Sequence, residues 1–287
     1  MADLRMKGWF GWLMVILMTA VFLRLYHLAS IPPGLTHDEA DHGLTAWQIL
    51  QGSRAIYFTV GYGREPLFDY ATAVFMRFLG PTAFTLRLTA VAFSLILLAG
   101  TTAWVKQAFN TQTALFTAAG LATGFWPLMT ARQGLRSITL PAFFSLAVLV
   151  WWCALTTSSD SRRRWYFLVT GLCLGLTFYT YIPARGLWLA FPLTGFYLWY
   201  LLRSFPRQFF AGTAVSLLLA VLLATPLFSY LLTHPGAEVR IRQLSQPVEA
   251  ALNGNWQPLW QNAAASFGLF TFTGDSFWRY NIPGRPF

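Results

Sequence analysis

The sequence predicts an all-α, polytopic membrane protein: a transmembrane helical bundle of about seven spans, with two short interfacial helices in its first outer loop. Three observations carry this expectation. The chain is 56% hydrophobic and only 10% charged, whereas a soluble domain carries about 25% charged residues. Apolar runs recur along it, long enough to cross a ~30 Å hydrocarbon core. Basic residues gather at alternate connections between those runs, as the positive-inside rule requires.

The first run, residues 9–28, follows Arg5 and Lys7. Arg24, Tyr26 and His27 come after it without a small-x-small cleavage site, so it reads as an uncleaved first span. The remaining runs are 83–105, 113–130, 140–155, 166–181, 186–202 and 209–232. Several contain Gly120, Gly171, Gly175, Pro192 or Pro226, which membrane helices tolerate better than soluble ones. Residues 29–82 make a long first loop with structure of its own. In "HDEADHGLTAWQILQG" the placing of Leu44, Trp47, Ile49 and Leu50 predicts a short amphipathic helix ending at Gly52. "EPLFDYATAVFMRFLG" repeats the arrangement, with Pro66 at a helix start and Gly80-Pro81 as a stop. Residues 233–287 are expected to be an outer tail. Nothing in 1–287 reads as a longer repeat, a low-complexity tract or a soluble domain, so one transmembrane domain is expected.

Charge supplies the orientation. The net charge of +10 comes from eighteen arginines and two lysines, Lys7 and Lys106. The basic N-terminus, Lys106, Arg162–Arg164, and Arg203 with Arg207 share one side of a seven-span bundle, which is then cytoplasmic. Eight of the ten acids, all but Asp3 and Asp160, fall on the opposite side. No basic stripe sits on a polar domain, so nucleic acid is not an expected partner. Cys153 and Cys173 lie within apolar runs and read as small buried hydrophobes, not as a disulfide.

The outer acids are concentrated. Residues 37–42 hold His37, Asp38, Glu39, Asp41 and His42. The imidazoles are five apart, so this is not the zinc-protease signature, which needs them four apart. On a helix His37 meets Asp41, and Asp38 meets His42, which admits a divalent-metal face. A solvated helix N-terminus capped by Thr36 or Asp38 explains acids there in general. A third reading is chemical: a carboxylate held partly out of water is a usable general base.

Arginines complement these acids. Arg132 and Arg136 stand four apart in "ARQGLR", and Arg185 ends "YIPAR". Snorkelling anchors account for arginines at a bilayer boundary. Three on the disfavoured side also suit a phosphate, which guanidinium groups grip bidentately. Tyr179 and Tyr181 add hydroxyl donors or belt anchors. Acids and arginines on one face together suggest transfer of a sugar from a lipid phosphate to an acceptor hydroxyl.

The order of these features resembles the GT-C membrane glycosyltransferases, in the branch of the protein O-mannosyltransferases and the lipid A aminoarabinose transferase. The resemblance rests on "HDEADHG" after the first span, then "GREPLFDYATAVFMRFLGPTAFTLRL", "SITLPAFF" and "LGLTFYTYIPAR". It implies a polyprenyl-phosphate sugar donor, a protein or lipid-linked acceptor, and an inverting reaction with no nucleotide cofactor. It makes Asp38 the catalytic base and Glu39 its neighbour. Arg132, Arg136, Arg185 and Tyr181 become the donor-phosphate residues, and Arg64, Glu65 and His42 contact substrate. The expected location is the plasma (inner) membrane, with the site facing outside among membrane lipids. The chain ends in "WRYNIPGRPF", which resembles an outer loop leading into another span, so it reads as an N-terminal portion of a longer enzyme. Two rivals are an inactive fragment of such an enzyme and a transporter or flippase for an anionic lipid or solute, which would place its charges in broken helices near the midplane.

Overall fold

The computed structural model describes residues 2–202 and 207–274. Arg203, counted above as an inner-side marker, and "WRYNIPGRPF" fall outside the described residues, as do the side chains of Arg5, Lys7 and Arg207. Helix is the only regular structure among the described residues, beside one isolated antiparallel bridge between Phe58 and Arg64. Two compact units form: Met1–Val60 with Arg64–Thr233, and Gly61–Gly63 with the chain from His234 onward.

Among the described residues the first unit contains eleven α-helices: α1 (Ala2–Leu25), α2 (His37–Leu50), α3 (Leu67–Leu79), α4 (Ala83–Ala108), α5 (Thr111–Thr123), α6 (Phe125–Arg132), α7 (Thr139–Thr156), α8 (Asp160–Thr177), α9 (Ala184–Leu187), α10 (Ala190–Leu202) and α11 (Arg207–Thr233). Four of them begin on Thr36, Thr82, Asn110 and Ser159, whose side-chain oxygens each accept the backbone N–H three residues on. Such caps satisfy donors that the helix itself leaves open. The second unit holds α12 (Val239–Leu252) and α13 (Gln257–Thr271).

Helix α4 is the axis of the first unit, with α3, α5, α6 and α7 all packed on it. On one flank Phe68, Leu86, Phe93, Ile138 and Ala142 form a core that includes α2 and α3. On another, Ala20, Leu98, Ala118 and Ala122 join α1, α4 and α5 through small side chains. Phe10, Trp12, Met18 and Phe22 cover the outward face of α1. An apolar exterior of this kind suits lipid.

Among the described residues four helices are long and apolar enough to cross a membrane: Gly8–Leu25, Ala83–Ala108, Arg136–Thr156 and Phe209–Thr233. The pair α5–α6 makes a fifth if it counts as one broken span, bent by 52°. The run 113–130 was expected to be continuous. It breaks at Gly124, where an added Cβ would sit 2.5 Å from the Gly120 carbonyl oxygen, and Pro127 follows without an N–H to continue the ladder. The expected spans at 166–181 and 186–202 correspond to α8 and α10. Helix α8 carries Arg162, Arg163 and Arg164 near its start, and α10 has 13 residues, about 20 Å at 1.5 Å per residue.

Helix α8 nonetheless packs closely between α7 and α11. Gly171 and Gly175, one turn apart, let α11 approach: a Cβ on Gly171 would lie 2.7 Å from the Ser216 carbonyl oxygen, and one on Gly175 2.7 Å from Leu223. Ser216 Oγ donates to the Phe167 carbonyl at 2.7 Å. Small residues and interhelical hydrogen bonds drive helix association where burial from water cannot. Gly171→Leu should therefore lower the thermal midpoint in detergent, by a destabilisation of about 1–3 kcal/mol. Gly120→Ala, whose Cβ meets nothing within 4 Å, should leave it unchanged or raise it.

Candidate active site: an ionic network on the connection between α1 and α4

The acidic motif opens α2 through a capping box. Glu39 N–H donates to Thr36 Oγ1 at 3.2 Å, and Thr36 N–H donates to Glu39 Oε2 at 2.9 Å. The capping box uses one carboxylate oxygen and leaves the other facing inward. Glu39 Oε1 accepts from Arg87 Nε and from Gly134 N–H, both at 3.0 Å. Gly134 has no room for a side chain, since a Cβ would fall 2.5 Å from Leu86 Cγ. Arg87, wholly buried in α4, also donates to the carbonyls of Leu28, Pro32 and Gly34. Glu39 is thus a junction of α2, α4 and the "ARQGLR" segment, 1% exposed. An arginine inside the apolar stretch "TLRLTA" was the signal for Arg87, which the motif-based reading missed.

Asp38 has a different setting. Its side chain is 50% exposed, and Oδ1 stands 3.8 Å from His37 Nδ1. His37 Nδ1 is also 3.7 Å from Asp41 Oδ2. The expected pairing of Asp38 with His42 is replaced by another: His42 is buried, its Nδ1 2.5 Å from Asp69 Oδ1 and its ring edge-on to Phe68. Asp69, fully buried in α3, faces Arg64 Nε at 3.4 Å through Oδ2. Arg64 donates in turn to the Asp41 carbonyl at 2.9 Å and to Thr45 Oγ1 at 2.5 Å. Among the described residues no group of three or more His, Cys, Asp or Glu could hold a metal ion.

Glu65 is the third buried acid. It accepts from Arg136 Nη1 at 2.6 Å and lies 3.8 Å from Arg185 Nη2. Arg136 rests over the ring of Tyr181 and Arg185 over that of Phe228, with centroid distances of 5.2 and 5.5 Å. Tyr181 therefore offers Arg136 its ring face, and the Tyr179 hydroxyl donates to the Leu223 carbonyl. Of the two guanidinium groups on this carboxylate, Arg185 has the more exposed side chain, 24% against 10% for Arg136. An open groove of about 510 Å³ is lined by Pro66, Leu67, Tyr70, Tyr179 and Arg54 among others.

Arg132 belongs to another task. Its Nη1 and Nη2 donate to the carbonyls of Leu23, Arg24, Tyr26 and Ile31, filling the acceptors left where α1 ends. Arg24, also absent from the expected site, reciprocates. It donates to Leu121 and Ala122 at the α5–α6 break, to Ala20, and to Ser94.

Breaking one partner of a buried pair strands the other's charge, at about 3–5 kcal/mol. Arg87→Met should therefore sharply reduce the thermal midpoint and yield of folded protein in detergent. Adding Glu39→Gln should restore part of the loss, a coupling that a double-mutant cycle measures. No family model, curated protein or solved structure matches this chain.

Proposed function

We propose that the chain is a membrane glycosyltransferase of the GT-C type, moving a sugar from a polyprenyl-phosphate donor to an acceptor hydroxyl on a protein or lipid-linked substrate. One observation carries the reading. Three of the carboxylates on the connection between α1 and α4 are buried against cationic side chains, while Asp38 is half-exposed at the head of α2. A base must reach the proton that it removes. In the proposed step Asp38 takes the proton of the acceptor hydroxyl as its oxygen attacks the anomeric carbon. The bond from that carbon to the phosphate oxygen breaks, and the polyprenyl phosphate leaves with the electron pair. A single displacement of this kind inverts the anomeric centre.

The departing phosphate needs cationic donors. Of the three arginines expected to grip it, Arg185 has the most exposed side chain, so it is assigned the leading role. Arg64 and His42 hold Asp69 and the body of α2, which makes them positioning residues in this reading. In the full topology α8 and α10 complete seven spans with α1, α4, α5–α6, α7 and α11. Helices α2 and α3 then lie at the interface, where exposed Leu44, Trp47, Val74 and Phe78 meet lipid. Lys106 and Arg162–Arg164 favour a cytoplasmic assignment for the opposite end, so the site would face outside across the inner membrane.

The transporter reading draws on the break at Gly124, since broken helices build transport sites. Against it, Arg24 fills the carbonyls at that break with hydrogen bonds internal to the protein.

Asp38→Asn should reduce sugar transfer about 10²–10⁴-fold in purified membranes supplied with a panel of radiolabelled polyprenyl-phosphate sugars, with insertion unaltered. Undiminished transfer would refute the role of Asp38. Arg185→Ala should weaken donor binding about 10- to 100-fold. Arg132→Ala should instead lower thermal stability.

A further inference from the structure

Helices α12 and α13 both leave an apolar row uncovered. In α12, Leu244, Val248 and Leu252 are four residues apart and all exposed. That spacing places them on one side of a helix, while Gln243 and Gln246 lie round the other side, also exposed. At α13, Trp256 just before the helix and Trp260 and Phe267 within it make a second exposed row at the same kind of spacing. With 14 and 15 residues, each helix is about 21–23 Å long, short of the ~30 Å of a hydrocarbon core.

The place of this unit in the chain identifies what covers the rows. Helix α11 carries the span candidate Phe209–Thr233, and α12 begins after the short connection 234–238. A unit tethered so closely to the end of a membrane span has the bilayer surface within immediate reach. Short helices with one apolar and one polar face lie in the interfacial plane, and paired tryptophans sit at headgroup level. We propose that α12 and α13 form an in-plane amphipathic hairpin that docks on the lipid surface through Leu244, Val248 and Leu252 together with Trp256, Trp260 and Phe267. The partner is the headgroup–acyl boundary of the leaflet where α11 ends. This inference uses no residue of the ionic network and stands independently of the catalytic reading.

The test places one environment-sensitive fluorophore at a time on the full chain, with Cys153 and Cys173 replaced by Ala, in phosphatidylcholine vesicles. Val248→Cys and Trp260→Cys mark the apolar rows, and Gln246→Cys marks the polar side. Shallow spin-labelled lipid should quench positions 248 and 260 about threefold or more over position 246, and more strongly than a deep spin label does. Solvent-like emission without quenching at 248 and 260 would overturn the proposal. So would blue-shifted, unquenched emission there, which means a protein covers the rows: a second copy if dilution in lipid reverses it, another part of the chain if it does not. Equal quenching at all three positions, strongest with the deep label, would mean immersion and also overturn it.

Discussion

Arg87 and Glu39 meet at the point where the first unit is tied together. The connection between α1 and α4 has no regular structure from Tyr26 to Thr36, so its carbonyls lack the partners that a helix provides. Arg87 reaches from α4 to three of them, and its Nε holds the carboxylate that closes the α2 capping box. Glu39 passes the linkage to Gly134 on the far side of α6. A single ion pair thus sets where α2 begins, how the loop before it runs, and where the chain between α6 and α7 lies. Without the carboxylate, the guanidinium would be a charge at 0% exposure held by carbonyls alone, at a cost of several kcal/mol.

The same device recurs. Arg24 of α1 fills acceptors at the end of α5, and Arg132 of α6 fills those at the end of α1. Guanidinium suits this role because its fork of five donors serves several carbonyls at once and keeps its charge. Where lipid replaces water, each orphan carbonyl would otherwise go unsatisfied. The richness in arginine over lysine therefore has a structural component as well as the topological one. At Glu65, by contrast, two guanidinium groups share one carboxylate.

Much of this architecture was legible in the sequence. The helices at 37–50 and 67–79 stand where the amphipathic pattern, Pro66 and Gly80-Pro81 predict them, because these are local signals. The break at Gly124 was less legible, since glycine within an apolar run is common in membrane helices and only the close approach of Gly120 makes it obligatory. The partner of His42 could not be read at all. Helical spacing points His42 at Asp38, yet an acid 27 residues away in α3 takes its place.

The residue types of the candidate site were determined by the sequence alone: acids crowded into 37–42, arginines in "GREP", "ARQGLR" and "YIPAR", and apolar runs around them. Their division of labour was decided by tertiary structure. Asp38 and Glu39 are neighbours in the chain, but successive helical positions are about 100° apart. One side chain therefore turns into the bundle and meets Arg87, and the other turns toward the surface. Arg132 and Arg136 look equivalent in "ARQGLR", yet one faces a helix end and the other faces Glu65. Such distinctions depend on which element approaches from outside the local stretch, and no spacing within that stretch contains them.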